Sequence, residues 1–223
     1  MDAVVKVGGS LAETPGVLRA VCQALGQLGG KHQMLVVPGG GEFADLVRDV
    51  DKRYSLSPVT THRMAVLGMD QYGFLLSELI PNSQKATTLA QTEGIIESNK
   101  TAVLLPSQFV LEDCSLRASW DVTSDSIAAY IADQLHAQKL ILITNVDGLF
   151  TCNPNTNSEA RLIKRISATE LLKQGQRTCV DKFLPNVLRK ANLSCYIVNG
   201  SHPDRVEKIL TNKRTICTQI SLK

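Results

Sequence analysis

Short uninterrupted apolar runs alternate along this chain with longer segments in which apolar residues recur at helical spacing. The runs at 3–7, 34–37, 101–105 and 140–144, with a fifth at 195–198, lack the in-out alternation of a half-exposed strand, so they read as strands buried on both faces. Between them, 17–28, 42–50, 61–80, 126–135, 168–173 and 182–190 read as helices. Parallel neighbours need a crossover, and the crossover is usually helical. The pattern therefore predicts an α/β fold, a three-layer αβα sandwich around a mostly parallel sheet. No Ser/Gly/Pro linker, repeat or low-complexity tract divides it, so a single domain over 1–223 is expected. The polar connection at 151–160, with Asn153, Pro154, Asn155 and Asn157, reads as the most mobile loop.

Composition narrows the function classes. With 223 residues, 43% of them hydrophobic, the chain buries a sizeable core, which excludes disorder as its main description. Its 24 Lys+Arg and 21 Asp+Glu are scattered and net to +3, which is no footprint for nucleic acid. A small anionic substrate stays open. The start has no signal-peptide pattern, and no apolar run approaches the ~18 residues of a membrane span; a cytoplasmic protein without a membrane partner is expected. Cys22, Cys114, Cys152, Cys179, Cys195 and Cys217 form no C-x-x-C pair and read as reduced thiols, several of them buried. The dispersed His32, His62, His136 and His202 give no zinc spacing, so no dedicated metal site is expected.

Ligands in open parallel sheets bind beyond the carboxyl ends of the strands, so those ends carry the candidate chemistry. The first run leaves through Lys6-Val7-Gly8-Gly9-Ser10. A lysine within an apolar strand needs an anionic partner or an exit to water, and glycines let backbone N–H groups approach phosphate oxygens. The second run leaves through Pro38-Gly39-Gly40-Gly41-Glu42-Phe43-Ala44-Asp45 into a helix. Gly39, Gly41 and Ala44 fit a dinucleotide fingerprint, but residues 54–69 contain no acid to hold a ribose. An anion at the helix N-terminus, or a purely structural turn, is the alternative. Trp120-Asp121-Val122-Thr123-Ser124-Asp125-Ser126 holds more carboxylates and hydroxyls than one helix cap needs. The fourth run ends Thr144-Asn145-Val146-Asp147-Gly148-Leu149-Phe150, and Val180-Asp181-Lys182-Phe183 places a second lysine at a helix start. A Walker A loop and a G-x-S-x-G elbow are both absent from the sequence.

Taken in order, Lys6-Val7-Gly8-Gly9-Ser10, Pro38-Gly39-Gly40-Gly41, Ser124-Asp125-Ser126 and Thr144-Asn145-Val146-Asp147-Gly148-Leu149 resemble the amino acid kinase superfamily over nearly the whole chain. The resemblance implies transfer of the ATP γ-phosphoryl group on an αβα sandwich, with the acceptor in the N-terminal half and the nucleotide in the C-terminal half. It implies catalytic roles for Lys6, Asp125 and Lys182, with the two lysines converging on the phosphates and Asp125 holding them. It implies that Gly8, Gly9, Ser10, Thr144, Asn145, Asp147, Gly148 and Phe150 meet ATP and its phosphates. Gly39, Gly40, Gly41, Asp45, Trp120 and Asp121 would then face the acceptor. Mg2+ is expected to accompany ATP, and a homo-oligomer is implied.

Phe43-Ala44-Asp45, the segment from His62 to Gly73, and Ser119-Trp120-Asp121 look like the phosphate kinases of methanofuran biosynthesis. That narrower resemblance implies conversion of an (aminomethyl)furan-methyl phosphate to its diphosphate. An acid beside a flat ring would suit the protonated amine, with Asp121 and Trp120 the first pair and Asp45 with Phe43 the second. Arg48 or Arg63 is a candidate for the acceptor phosphate. An isopentenyl phosphate-like or uridylate-like acceptor, a non-catalytic nucleotide binder on the same fold, and a dinucleotide-dependent oxidoreductase remain the alternatives.

Overall fold

A computed structural model of the chain describes residues 1–112, 116–154, 156–174 and 178–221. Cys114 and Asn155 lie outside them. The strands are β1 (Ala3–Val7), β2 (Met34–Pro38), β3 (Ser83–Ala86), β4 (Thr101–Leu104), β5 (Lys139–Thr144), β6 (Arg165–Ser167), β7 (Ser194–Asn199) and β8 (Thr218–Ser221). They form one sheet in the order β3-β4-β2-β1-β5-β7-β8-β6. All neighbours pair parallel except β7 and β8. The five expected strands are all present. The strands β3, β6 and β8 were not expected, because they are three or four residues long with polar positions such as Gln84, Lys85 and Gln219. At a sheet margin a strand has no need of an apolar run.

The helices are α1 (Pro15–Gly29), α2 (Gly41–Tyr54), α3 (Pro58–Leu79), α4 (Leu89–Glu97), α5 (Ser107–Glu112), α6 (Ser124–Gln134), α7 (Ala168–Gln174), α8 (Leu184–Ala191) and α9 (Asp204–Leu210). Local chemistry sets their ends. Proline stands at the start of α1 and α3, where its missing N–H is no loss. Ser57 caps α3 by accepting from the Thr60 N–H at 3.2 Å. The helix expected over 182–190 begins instead at Leu184, so Lys182 precedes it. Its first amides are held by Asp181, which accepts from Phe183 and Leu184 N–H at 3.1 and 2.8 Å. The short α4, α5 and α9 were not expected; six to nine residues span too few turns for a period to stand out.

Strand alternation divides the core in two. Val4, Leu35, Val37, Leu140 and Leu142 pack on one face with Ile127, Ala128, Ile131 and Ala132 of α6 and Leu184, Val187 and Leu188 of α8. Val5, Val7, Val36, Ile141 and Ile143 pack on the other with Leu18, Val21 and Leu25 of α1 and Tyr72 and Leu76 of α3. Lys6 shares the parity of Val4, so its side chain leaves β1 on the α6 side. Among the described residues, no helix is long and apolar enough to cross a membrane.

Candidate active site

The chain steps from β1 outward to β2 on one side and returns to pair β5 on the other, so the sheet reverses its winding at β1. The crevice beyond the carboxyl ends of β1, β2 and β5 is the topological switch point, where an open α/β sheet admits a ligand. A cavity of about 260 Å3 lies there, near the lower end of small-ligand sites at roughly 300–1,000 Å3.

Two glycine turns form its floor, and they touch backbone to backbone. A Cβ on Gly9 would fall 2.1 Å from the Gly41 nitrogen, and one on Gly39 would fall 2.6 Å from the Gly9 nitrogen. Gly41 itself has φ +54. No larger residue fits that approach. Gly8 and Gly39 have their N–H groups bonded to Ile143 O and Val7 O, both at 2.8 Å. These two glycines hold the loops together instead of offering amides to a ligand. Gly9, Gly40 and Gly41 line the cavity with Ser10. The fully buried Tyr72 donates its hydroxyl to Gly8 O at 3.2 Å and braces the first turn from below.

Lys6 enters from β1, 8% exposed, and its Nζ lies 2.6 Å from Asp125 Oδ1 in the first turn of α6. A buried ammonium needs a partner this close to offset its lost hydration. The other Asp125 oxygen accepts from the Asp181 N–H at 3.0 Å. Burial, and then the Asp125 charge, push the Asp181 carboxyl above its usual range. Lys182 is exposed and is not part of the cavity wall. Only the first of the two expected lysines is brought to the cavity.

Of the residues expected to face the acceptor, Asp45 and Trp120 belong to the wall, and so does Arg48. Arg48 is ion-paired with Asp45, and its guanidinium lies 4.9 Å from the Trp120 ring centroid. The indole N–H donates to Asp51 Oδ2 at 3.0 Å, which fixes the ring. Asp121 is exposed and off the wall, and so is Arg63. From α3 come Thr61, His62 and Met69. Burial holds the His62 imidazole below its ordinary value of 6.5.

On the opposite side Thr144 lines the cavity, while Asn145, Asp147, Gly148 and Phe150 lie on the loop beyond it. That loop is anchored. Buried Arg205 of α9 donates to Asp147 Oδ1 at 2.5 Å, and Thr218 Oγ1 accepts from Leu149 N–H at 2.8 Å. Phe150 bridges Leu162, closing the base of the polar connection at 151–160. Cys179 reaches the wall too, with its thiol donating to Gly148 O at 3.5 Å. Burial pushes that thiol up to about 12, so it stays protonated at neutral pH. The described cysteines are all unpaired, with Cys22 and Cys195 buried, as expected.

Sequence reasoning missed Asp181, Arg205, Glu13, Thr61, Met69 and Cys179 as contributors. Only Asp181 had a local signal: an acid shortly before Pro185 at a helix start.

A buried ammonium between two glycine turns, at the switch point of a parallel sheet, defines a protein that handles phosphoryl groups. Residues 1–199 match the Amino acid kinase family, and the chain belongs to it. It is 35% identical over 217 residues to the [5-(aminomethyl)furan-3-yl]methyl phosphate kinase of Methanocaldococcus jannaschii, covering 97% of this chain and 96% of that protein. It is 26% identical over 227 residues to the uridylate kinase of Methanococcoides burtonii, covering 94% and 91%. Among solved structures, the uridylate kinase of Archaeoglobus fulgidus superposes with a TM-score of 0.78 at 19% identity, covering 99% of this chain and 100% of that one. The chain is a phosphotransferase of the kinase type with the expected three-layer fold.

Proposed function

We propose that the chain transfers the γ-phosphoryl group of ATP to the phosphate of [5-(aminomethyl)furan-3-yl]methyl phosphate, giving the diphosphate and ADP. The buried Lys6–Asp125 pair at the junction of the two glycine turns carries the phosphoryl-transfer part of this reading. The 35% identity over nearly the full length of the M. jannaschii kinase supports the acceptor.

In the reaction an acceptor phosphate oxygen attacks the γ-phosphorus in line. The new P–O bond forms as the bond to the β,γ-bridging oxygen breaks, and ADP leaves with that electron pair. A phosphate monoester is mostly ionised at pH 7, with its second pKa at about 6, so no general base is needed. The work is positioning and charge neutralisation. Lys6 stabilises the equatorial oxygens of the moving group, Asp125 sets the direction of its ammonium, and Gly9, Gly40 and Gly41 shape the anion floor. Lys182, exposed and off the cavity wall, has a place on the ATP side only through the family resemblance.

Among the described residues, no group of three or more His, Cys, Asp or Glu stands close enough to hold a metal. Glu13 and Glu42 on the wall would face a Mg2+ that arrives on the ATP phosphates and keeps its waters, so no protein cage is required. When bound, the ion neutralises phosphate charge. Asp45, with the fixed Trp120 ring beside it, would meet an acceptor ammonium on a flat ring by exchanging its Arg48 partner for it.

A homo-oligomer is also proposed. Val59, Leu67, Phe74 and Leu75 are exposed at 51, 48, 53 and 39%; Leu67 and Phe74, seven residues apart, share one stripe of α3, with Val59 and Leu75 flanking it on either side. A second copy would cover that stripe.

The test is ATP consumption over a panel of the aminomethyl furan phosphate, its neutral alcohol analogue, UMP and isopentenyl phosphate, with the product's phosphate count read by mass spectrometry. The amine is expected to lead, with kcat/KM about tenfold or more above the alcohol. Equal values for amine and alcohol would remove the acid–amine reading, and UMP as the best acceptor would replace the substrate.

A further inference from the structure

Asp181 is only 4% exposed, yet six hydrogen bonds converge on its carboxylate. Oδ2 accepts from the Thr123 N–H, the Thr123 hydroxyl and the Ser126 N–H, each at 2.9 Å. Oδ1 accepts from the Ser126 hydroxyl at 2.5 Å and from the N–H groups of Phe183 and Leu184 at 3.1 and 2.8 Å. Thr123 and Phe183, the N-cap residues of α6 and α8, make no side-chain cap bonds themselves. One carboxylate from outside both helices therefore caps the two together. It also answers the positive ends of both helix dipoles.

This double cap lies one bond from the catalytic pair. The Asp181 N–H meets Asp125 Oδ2 at 3.0 Å, and Asp125 Oδ1 grips Lys6 at 2.6 Å. We propose that Asp181 is a positioning residue for phosphoryl transfer. By locking the start of α8 onto the first turn of α6, it fixes the Asp125 carboxylate and, through it, the Lys6 ammonium. The proposal rests on the kinase reading for its kinetic consequence, and on geometry alone for the placement of Lys6. A cap that served stability alone would act on the whole molecule and would be indifferent to Asp125.

Asp181→Asn keeps the shape but turns one acceptor into an NH2 that faces N–H and O–H donors. The first readout is a cycle on kcat. Asp181→Asn is expected to lower kcat about 30-fold or more while each KM moves less than about threefold; in an Asp125→Asn background the same change costs less than about threefold further. Equal losses in the two backgrounds overturn the proposal, as does an unchanged kcat in the folded variant.

The second readout needs no turnover: rates of reductive methylation mapped by mass spectrometry. Lys6 should label about tenfold faster in Asp181→Asn, while Lys139, held by Ile209 O and Leu210 O at 3.0 Å each at the other end of the sheet, keeps its rate. Equal acceleration of both lysines means general loosening and overturns the proposal. Should Asp181→Asn fail to fold, Ser126→Ala removes only the hydroxyl bond. It should raise Lys6 labelling without touching Lys139, and no change at Lys6 counts against the idea. A wild-type chain that consumes no ATP with any acceptor would remove the kinase reading while the labelling still decides the geometry.

Discussion

The side chain that Gly9 lacks would begin 2.1 Å from the backbone nitrogen of Gly41, so the two turns at the floor of the cavity meet as bare backbone. Gly9→Ala must push them apart. Its expected effects are a lower melting temperature and a rise in KM for the acceptor of about tenfold or more, since a shift of ~1 Å at a bound phosphate is felt strongly. Gly94→Ala inside α4 is the control, because a Cβ there meets nothing within 4 Å; Ala in a helix interior should add about 0.5–1 kcal/mol. Thermal melts with acceptor titrations check both, and a Gly9→Ala enzyme with normal KM and melting temperature would contradict the close approach.

Removing Lys6 separates chemistry from stability. Loss of a preorganised charge contact typically lowers turnover about 10²–10³-fold, and Lys6→Met is expected to fall in that range. It also leaves the Asp125 carboxylate buried without its cation, which destabilises by about 3–5 kcal/mol where the partner stays fully charged. The double variant Lys6→Met/Asp125→Asn should recover most of the stability and none of the activity. Calorimetry and single-turnover kinetics on the pair check this, and recovered turnover in the double variant would displace Lys6 from its role.

His62 gives the pH dependence a direction. Burial lowers its folded pKa below 6.5, so on acidification the unfolded chain takes up the proton first. The stability tied to this group is therefore full above about pH 6.5 and is lost as pH falls through the folded value. Melting temperatures between pH 5 and 7.5 should drop on the acid side, and His62→Gln should flatten part of that drop. Identical slopes for the two proteins would show that His62 does not titrate as described.

The apolar stripe on α3 predicts association. Leu67→Lys/Phe74→Glu should shift the sedimentation coefficient of the chain to that of a monomer while leaving its circular dichroism unchanged. A wild-type chain that already sediments as a monomer at tens of micromolar would remove the oligomer.

The buried strands at 3–7, 34–37, 101–105, 140–144 and 195–198 were legible because a strand covered on both faces must be apolar throughout. The glycine turns and the intrastrand lysine were legible because no other residues meet those backbone and charge demands. Lys6 and Asp125 were named separately, but their 2.6 Å contact depends on β1 lying against α6. No spacing between positions 6 and 125 encodes that neighbourhood. Tertiary structure alone gave Asp181 its two helices, placed Asp45 on the wall and Asp121 off it, and left Lys182 at the surface. Sequence periodicity records which side of an element is buried, whereas a site is made where elements distant in the chain converge, and that depends on how the whole sheet is ordered.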